Sequence, residues 1–312
     1  MQFRILLFLL LTTIFPIAQA AFYPLPSLDN DIVGEIQIIH IQKGDNINKL
    51  MQKYELSYHE LLEANPKIRF SNLHEGDAII IPTQFILPKY RKGIVINIPE
   101  LRLYYFTPDG QYVFTTPVGL GRSGWRTPTM TTYIIKKEEQ PIWHVPKDIA
   151  EYAENNGKTL PSEIPPGPDN PLGNYALYLS YNGYLIHGTN DPNSVGKYFS
   201  SGCIRLSSES IATLFLKVDI GTIVYIIHAS SKAGWLNDVL YLEKHVPVSY
   251  NEQEEKMELS QSGPAEVIDE ATKNRPANID WQRVDEIARQ QTGIPEPVSS
   301  SADYPIENNL NI

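Results

Sequence analysis

Leu185–Leu206 reads LIHGTNDPNSVGKYFSSGCIRL. It holds Cys203, the single cysteine of 312 residues, sixteen positions after His187. A lone thiol forms no internal disulfide, and as a nucleophile it needs a base. The preceding run, LYLSYNGYLI from Leu177 to Ile186, is two apolar segments joined by Asn182 and Gly183, which predicts a β-hairpin. His187 is therefore expected at a strand end. After the cysteine, Ser207 or Ser208 can cap a helix with Ile211, Leu214, Phe215 and Val218 on its apolar face, stopped by Gly221. Cys203 is thus expected on a loop leading into a helix N-terminus, where the dipole favours a thiolate. The alternative is a small buried hydrophobe.

Outward from this stretch the pattern is β. GIVINI from Gly93, LRLYYF, YVFTTPVG, YIIKK, ALYLS and GTIVYII are short apolar runs separated by turn residues. That predicts a closed or sandwich-like all-β domain in a mainly β protein. Trp143–Pro171 interrupts the strands with five prolines after residue 160, and is either a functional loop or an irregular surface one. Ala21–Glu35 reads as a linker. Gln37–Pro82 reads as a compact βααβ unit. Ile38, Ile39 and Ile41 mark the first strand, Asp45 caps a helix, Ser57 and Glu60 form a capping box, and Ala78–Ile81 is the second strand.

Composition narrows the class. Lys+Arg 26 against Asp+Glu 36 gives a net charge of −10, which excludes a typical nucleic-acid binder. From Asn251 onward there are 13 acidic and 5 basic residues, so the acidity sits in the tail. Residues 229–312 are expected to be polar and partly disordered. LYLEKHVPV is a possible last strand, and one short helix near 280–292 is capped by Asp280. At the other end, Arg4, the apolar run Ile5–Ile14 and Ala18-Gln19-Ala20 have the form of a cleaved signal peptide over residues 1–20, which predicts export. The remaining histidines show no metal-ligand spacing, and neither a metal nor an organic cofactor is expected.

HGT, a variable loop and S-x-G-C-I-R-L resemble the signature of the YkuD-type L,D-transpeptidases. GRSGWRTPT (Gly121–Thr129) and PLGNYALYL (Pro171–Leu179) are similar to that family too, and the likeness covers residues 93–228. It implies Cys203 as nucleophile, His187 as general base and proton carrier, and the Gly188 carbonyl as orienter of the imidazole. The backbone N–H groups of Gly202 and Cys203 are expected to face an oxyanion. Ser201, an accessory residue, stands where the family usually has histidine. Arg205 either holds a substrate carboxylate or makes a structural ion pair. Thr189 and Trp143 are expected on the substrate side, and in the family the 143–171 insertion lies over the cleft. Residues 37–82, with Lys43-Gly44-Asp45, Asn65-Pro66, Gly76 and a terminal Ile-Pro, resemble a LysM module, which implies binding to peptidoglycan glycan.

The resemblance implies attack on the diaminopimelate–D-Ala bond of a tetrapeptide stem. The acyl group then passes to an amine, either diaminopimelate of another stem or the lysine of an outer-membrane lipoprotein. Water as acceptor would make the protein an L,D-carboxypeptidase. Carbapenems are expected as covalent inhibitors, and the architecture is similar to periplasmic Gram-negative members. A non-catalytic wall-binding protein is the other reading, favoured by Ser201.

Overall fold

The computed structural model describes residues 21–248 and 262–300. The expected signal segment lies outside the described residues. Ala21–Pro24 (β1) is a strand, not a linker, and pairs antiparallel with Tyr112–Pro117. Ile32–His40 (β2) pairs over nine residues with Ala78–Ile86 (β3), in register from Ile32↔Ile86 to His40↔Ala78. Both strands outrun the expected Ile-rich cores, because Ile32, Val33, Phe85 and Ile86 are buried at the far end. Between them lie α1 (Ile47–Tyr54) and α2 (Tyr58–Ala64). Asn46, not Asp45, caps α1, accepting the Lys49 N–H at 3.1 Å. Asp45 instead closes the preceding turn by accepting the Gln42 N–H at 2.9 Å. The Ser57–Glu60 capping box forms as expected.

The next stretch runs β4 (Gly93–Asn97), β5 (Arg102–Phe106), β6 (Tyr112–Pro117), β7 (Leu120–Gly121) and β8 (Met130–Glu139). After it come β9 (Trp143–His144), α3 (Lys147–Asn155), β10 (Glu163–Ile164), β11 (Tyr175–Leu179) and β12 (Leu185–His187). The domain ends with β13 (Tyr198–Ser200), β14 (Ile204–Arg205), α4 (Ser208–Lys217) and β15 (Ile223–Ile227). One nine-stranded sheet, ordered β1-β6-β5-β4-β15-β8-β11-β12-β14, carries the domain.

Strand alternation divides the core in two. Ile94, Ile96, Leu103, Phe114, Ile134, Leu177, Ile186 and Ile204 pack on Ile211 and Leu214 of α4. Val95, Tyr104, Phe106 and Val113 point the other way and share a single core with Leu50, Leu61, Ile79, Ile81 and Phe85 of the βααβ unit. The two units are therefore not beads on a linker: the sheet has one face for each core.

The C-terminal region departs from expectation. β16 (Ser231–Leu236), β17 (Val239–Lys244), α5 (Pro264–Thr272), α6 (Trp281–Gln290) and β18 (Glu296–Pro297) build a third unit. Trp235, Leu240, Leu242, Ile268, Val284, Ile287 and Val298 form its core. Asp280 caps α6 as expected, accepting the Arg283 N–H at 3.0 Å. The polar composition of 249–278 hid α5, whose single buried side chain is Ile268.

Ionic groups join the three units. Arg102 of β5, 1 % exposed, donates from Nε to Glu60 of α2 at 2.6 Å and from Nη2 to the same carboxylate at 3.0 Å. It also donates to Thr115 Oγ1 and the Glu55 carbonyl, and lies 4.3 Å from the Phe85 ring centroid. Nearby, buried Lys232 pairs with Glu100 and with Glu243, and His245 bridges Glu243 at 2.9 Å and Glu63 of α2 at 3.0 Å. Burial alone would lower the His245 pKa. Its bonds to Glu243 and Glu63 outweigh that and push it up to about 10. Glu100, Glu243 and His245 have the types and spacing of metal ligands, which the sequence spacing did not reveal. The Lys232 ammonium already supplies a cation there.

Breaking one partner of a buried ion pair typically costs about 3–5 kcal/mol, whereas replacing both by apolar groups costs far less. Arg102→Met and Glu60→Leu should each destabilise the protein by that amount in urea unfolding, and the double variant should lose clearly less than the sum. Additive losses would mean that the pair is not coupled.

Candidate active site

β12 and β14 run parallel with Ile186↔Ile204 and His187↔Arg205 in register. This closes the sixteen-residue separation and sets Cys203, one residue before β14, beside the end of β12. The hairpin before it forms: β11 and β12 pair antiparallel and the turn passes through Asn182 and Gly183, with Gly183 at φ +86°. α4 begins where expected, capped by Ser207 accepting the Ser210 N–H at 3.1 Å. In sequence β14 stands between Cys203 and the N-terminus of α4. Gly119 bonds to Arg205 through both its N–H and its C=O and ties that segment to the strand before it.

His187 is 3 % exposed. Its Nδ1 lies 2.6 Å from the Gly188 carbonyl. A carbonyl only accepts, so Nδ1 carries the proton and Nε2 is left as the acceptor. Burial, then the Arg205 cation, pull the His187 pKa down to about 3, against the opposing Gly188 bond. Cys203 is half-buried. Burial raises its thiol pKa, while a hydrogen bond from the Leu185 backbone and the charge of Arg205 act the other way. The thiol donates to the Gly183 carbonyl at 3.6 Å. At rest both groups are therefore neutral, and the imidazole lone pair is on Nε2.

The loop holding the thiol is tightly braced. Ser200 Oγ donates to the Cys203 carbonyl at 2.6 Å and accepts the Gly202 N–H at 3.1 Å. Thr127 donates to the Gly202 carbonyl at 2.7 Å. Gly202 sits at φ +109°, a conformation that favours glycine, and a Cβ there would lie a tight 3.2 Å from the Tyr184 ring. Its N–H, expected to face an oxyanion, is spent inside the loop.

A cavity of about 670 Å³ opens over the thiol. Its walls include Trp143, His144, Tyr184, His187, Ser201 and Arg205. Trp143 thus lines the same cavity as Cys203. Arg205 is half-buried, its Nε has no hydrogen-bond partner among the described residues, and its guanidinium lies 5.7 Å from the Phe199 ring. Thr189 does not line the cavity: it accepts the Asp191 N–H at 3.0 Å and contacts Ser194 Oγ at 3.3 Å, bracing the loop after β12. The 143–171 insertion carries α3 and the short β9–β10 pair, and it forms one wall of the cavity. Ser201 Oγ accepts from Arg122 Nη1 at 3.0 Å rather than bonding the thiol. Arg122 lies in the GRSGWRTPT segment, and its spacing from Ser201 gave no sequence signal of that contact.

The YkuD family profile, described as the L,D-transpeptidase catalytic domain, matches residues 91–226, and the LysM domain profile matches residues 39–82. The protein named "Probable L,D-transpeptidase ErfK/SrfK" of Salmonella typhimurium is 34% identical over 94% of this chain and 95% of its own length. Two Escherichia coli proteins are similar as well. "Probable L,D-transpeptidase YbiS" is 37% identical over 89% of this chain and 92% of its own, and "Probable L,D-transpeptidase YcfS" is 39% identical over 74% and 75%. With a catalytic-domain profile spanning the cavity and relatives matched along nearly their whole length, the chain belongs to the L,D-transpeptidase family.

Proposed function

We propose that this L,D-transpeptidase uses Cys203 to cleave the diaminopimelate–D-Ala bond of a peptidoglycan tetrapeptide stem and transfers the acyl group to an amine. The single observation that carries this reading is the buried His187 imidazole, held through Nδ1 by the Gly188 carbonyl at the end of the strand beside Cys203. As sulfur attacks the stem carbonyl, its proton passes to Nε2. The tetrahedral intermediate collapses with cleavage of the C–N bond, and His187 returns the proton to the departing D-Ala amine. The thioester is then attacked by an acceptor amine, of diaminopimelate in a second stem or of a lipoprotein lysine, and the thiol is restored. Trp143 and the rest of the 143–171 lid cover the bound stem, and Arg205, which lines the cavity, takes a stem carboxylate. The LysM module holds the glycan. The signal-like N-terminus supports export to the periplasm.

Incubation with a disaccharide-tetrapeptide should release D-Ala, read by mass spectrometry. Cys203→Ala should abolish release with the melting temperature unchanged. His187→Ala should lower it by about 10²–10⁴-fold. Ser201→Ala should cost at most about tenfold, the worth of a neutral hydrogen bond. A Cys203→Ala variant that still releases D-Ala would falsify the nucleophile assignment.

The pH profile has a defined sign. The competent pair is neutral imidazole and neutral thiol. With His187 at about 3 and the thiol raised above its usual value, neither changes charge near neutrality. Release should be flat from about pH 5 to 8, where the bell of an ordinary histidine would bend. An inflection between pH 6 and 7 that disappears in His187→Ala would show that the imidazole titrates there.

The intact chain should sediment with insoluble peptidoglycan and be displaced by soluble N-acetylglucosamine oligomers. Failure of the oligomers to compete would count against the glycan role of the LysM module. Excising residues 37–82 is a poor test, since it strips one face of the sheet and leaves Arg102 buried without Glu60. A carbapenem should add its mass to the wild type and not to Cys203→Ala. No adduct on the wild type would mean that the thiol is not activated.

A further inference from the structure

The lid helix α3 buries only Ala153 of its nine residues. Packing of its own apolar side chains therefore does little to hold it down. The base of the lid is fixed by Asn170, whose Nδ2 donates to the carbonyls of Pro141, Ile164 and Pro165 at 2.8 to 3.2 Å. That leaves the helix itself. Tyr152, 48 % exposed, reaches out of α3 to a cluster on the opposite wall. Its ring meets Trp125 edge-on at 5.9 Å and 82°, and the Arg122 guanidinium lies 5.0 Å from the Tyr152 centroid and 5.4 Å from that of Trp125. The same guanidinium turns its Nη1 toward the catalytic loop, to Ser201 Oγ at 3.0 Å and the carbonyls of Ser200 and Phe199 at 3.3 and 3.4 Å. The Arg122 backbone N–H also donates to the Ser200 carbonyl at 3.0 Å. One guanidinium thus bonds the residues next to Cys203 and lies against two aromatic rings, one of them on the lid, a combination that suits arginine better than lysine.

We propose that Arg122 is a positioning residue that clamps the lid helix, through Tyr152, to the loop carrying Ser201 and Cys203. Lid closure and placement of the thiol are then one event. A substrate that holds the lid down also braces the catalytic loop, and a lid that swings away releases Ser201. The chain thereby has a use for serine at 201, as the acceptor through which the clamp grips the loop. The inference rests on Cys203 being the nucleophile.

Two rates on the intact chain test it: alkylation of Cys203 by a bulky maleimide, and kcat/KM for D-Ala release. Arg122→Ala and Tyr152→Ala should each raise alkylation and lower kcat/KM, both by about tenfold, the worth of a cation–π contact with its hydrogen bond. Melting temperatures should stay at the wild-type value. The double variant should go little further than either single one, because both cut the same link, and Arg122→Lys should fall between. Should Arg122→Ala fail to fold, Tyr152→Ala on the exposed lid and Arg122→Lys decide the matter. Unchanged rates, rates that fall together, or effects that multiply in the double variant would overturn the clamp. Persistent D-Ala release from Cys203→Ala would instead overturn the nucleophile, which separates the two failures.

Discussion

The arrangement of the cavity depends on two residue pairs. Ile186 faces Ile204 and His187 faces Arg205 in the parallel ladder of β12 and β14. Strand side chains alternate, so a slip of one residue would turn Cys203 away from the cavity and Ile204 into it. The register is held from both sides. Ile186 and Ile204 are fully buried in the core over α4, and expelling either would forfeit about 2 kcal/mol of apolar burial. The Leu206 N–H closes the ladder on the His187 carbonyl at 2.9 Å, and Gly119 locks Arg205. Core packing thereby determines where the sulfur points.

Burial then decides the charge state, and Arg205 refines it. A single cation near both groups disfavours imidazolium and favours thiolate, which is why it lowers the pKa of His187 and opposes the rise in that of Cys203. Desolvation remains the larger effect on each. The resting site is consequently an uncharged thiol and an uncharged base, unlike the thiolate–imidazolium pair of a pre-ionised cysteine site. A thiol kept neutral is also a poor target for oxidants, which react with thiolate.

Much of this was legible in the sequence because it rests on local rules. The hairpin through Asn182-Gly183, the Ser57–Glu60 box, the Ser207 and Asp280 caps and the strand alternation of Ile94 and Ile96 each depend on neighbours within a few residues. What was not legible depends on partners far along the chain. Ala21–Pro24 has no strand pattern of its own and becomes β1 because β6 offers an open edge. The C-terminal unit was hidden by its polar composition. Trp235, Leu240, Ile268 and Val298 are sparse along the sequence and meet only in three dimensions. Arg102 and Lys232 read as ordinary strand cations, yet both are buried and held by carboxylates of other units.

The site divides along the same line. The motif and its spacing singled out Cys203, His187, Arg205 and Trp143, which line one cavity, and the Gly188 carbonyl, which bonds the His187 ring. Thr189, two residues past His187, sits close in sequence but turns into the loop brace, since Asp191 and Ser194 satisfy its hydroxyl. The Gly202 amide, expected to face an oxyanion, bonds Ser200 Oγ at rest, and the residue's backbone sits at a positive φ. Arg122 was missed altogether, although it touches Ser201. A serine where the family usually has histidine looks, in sequence, like the loss of a catalytic group. In the structure its hydroxyl has a charged partner that neither a motif nor a spacing could announce. That partner arrives from a loop some eighty residues upstream and faces a helix between the two.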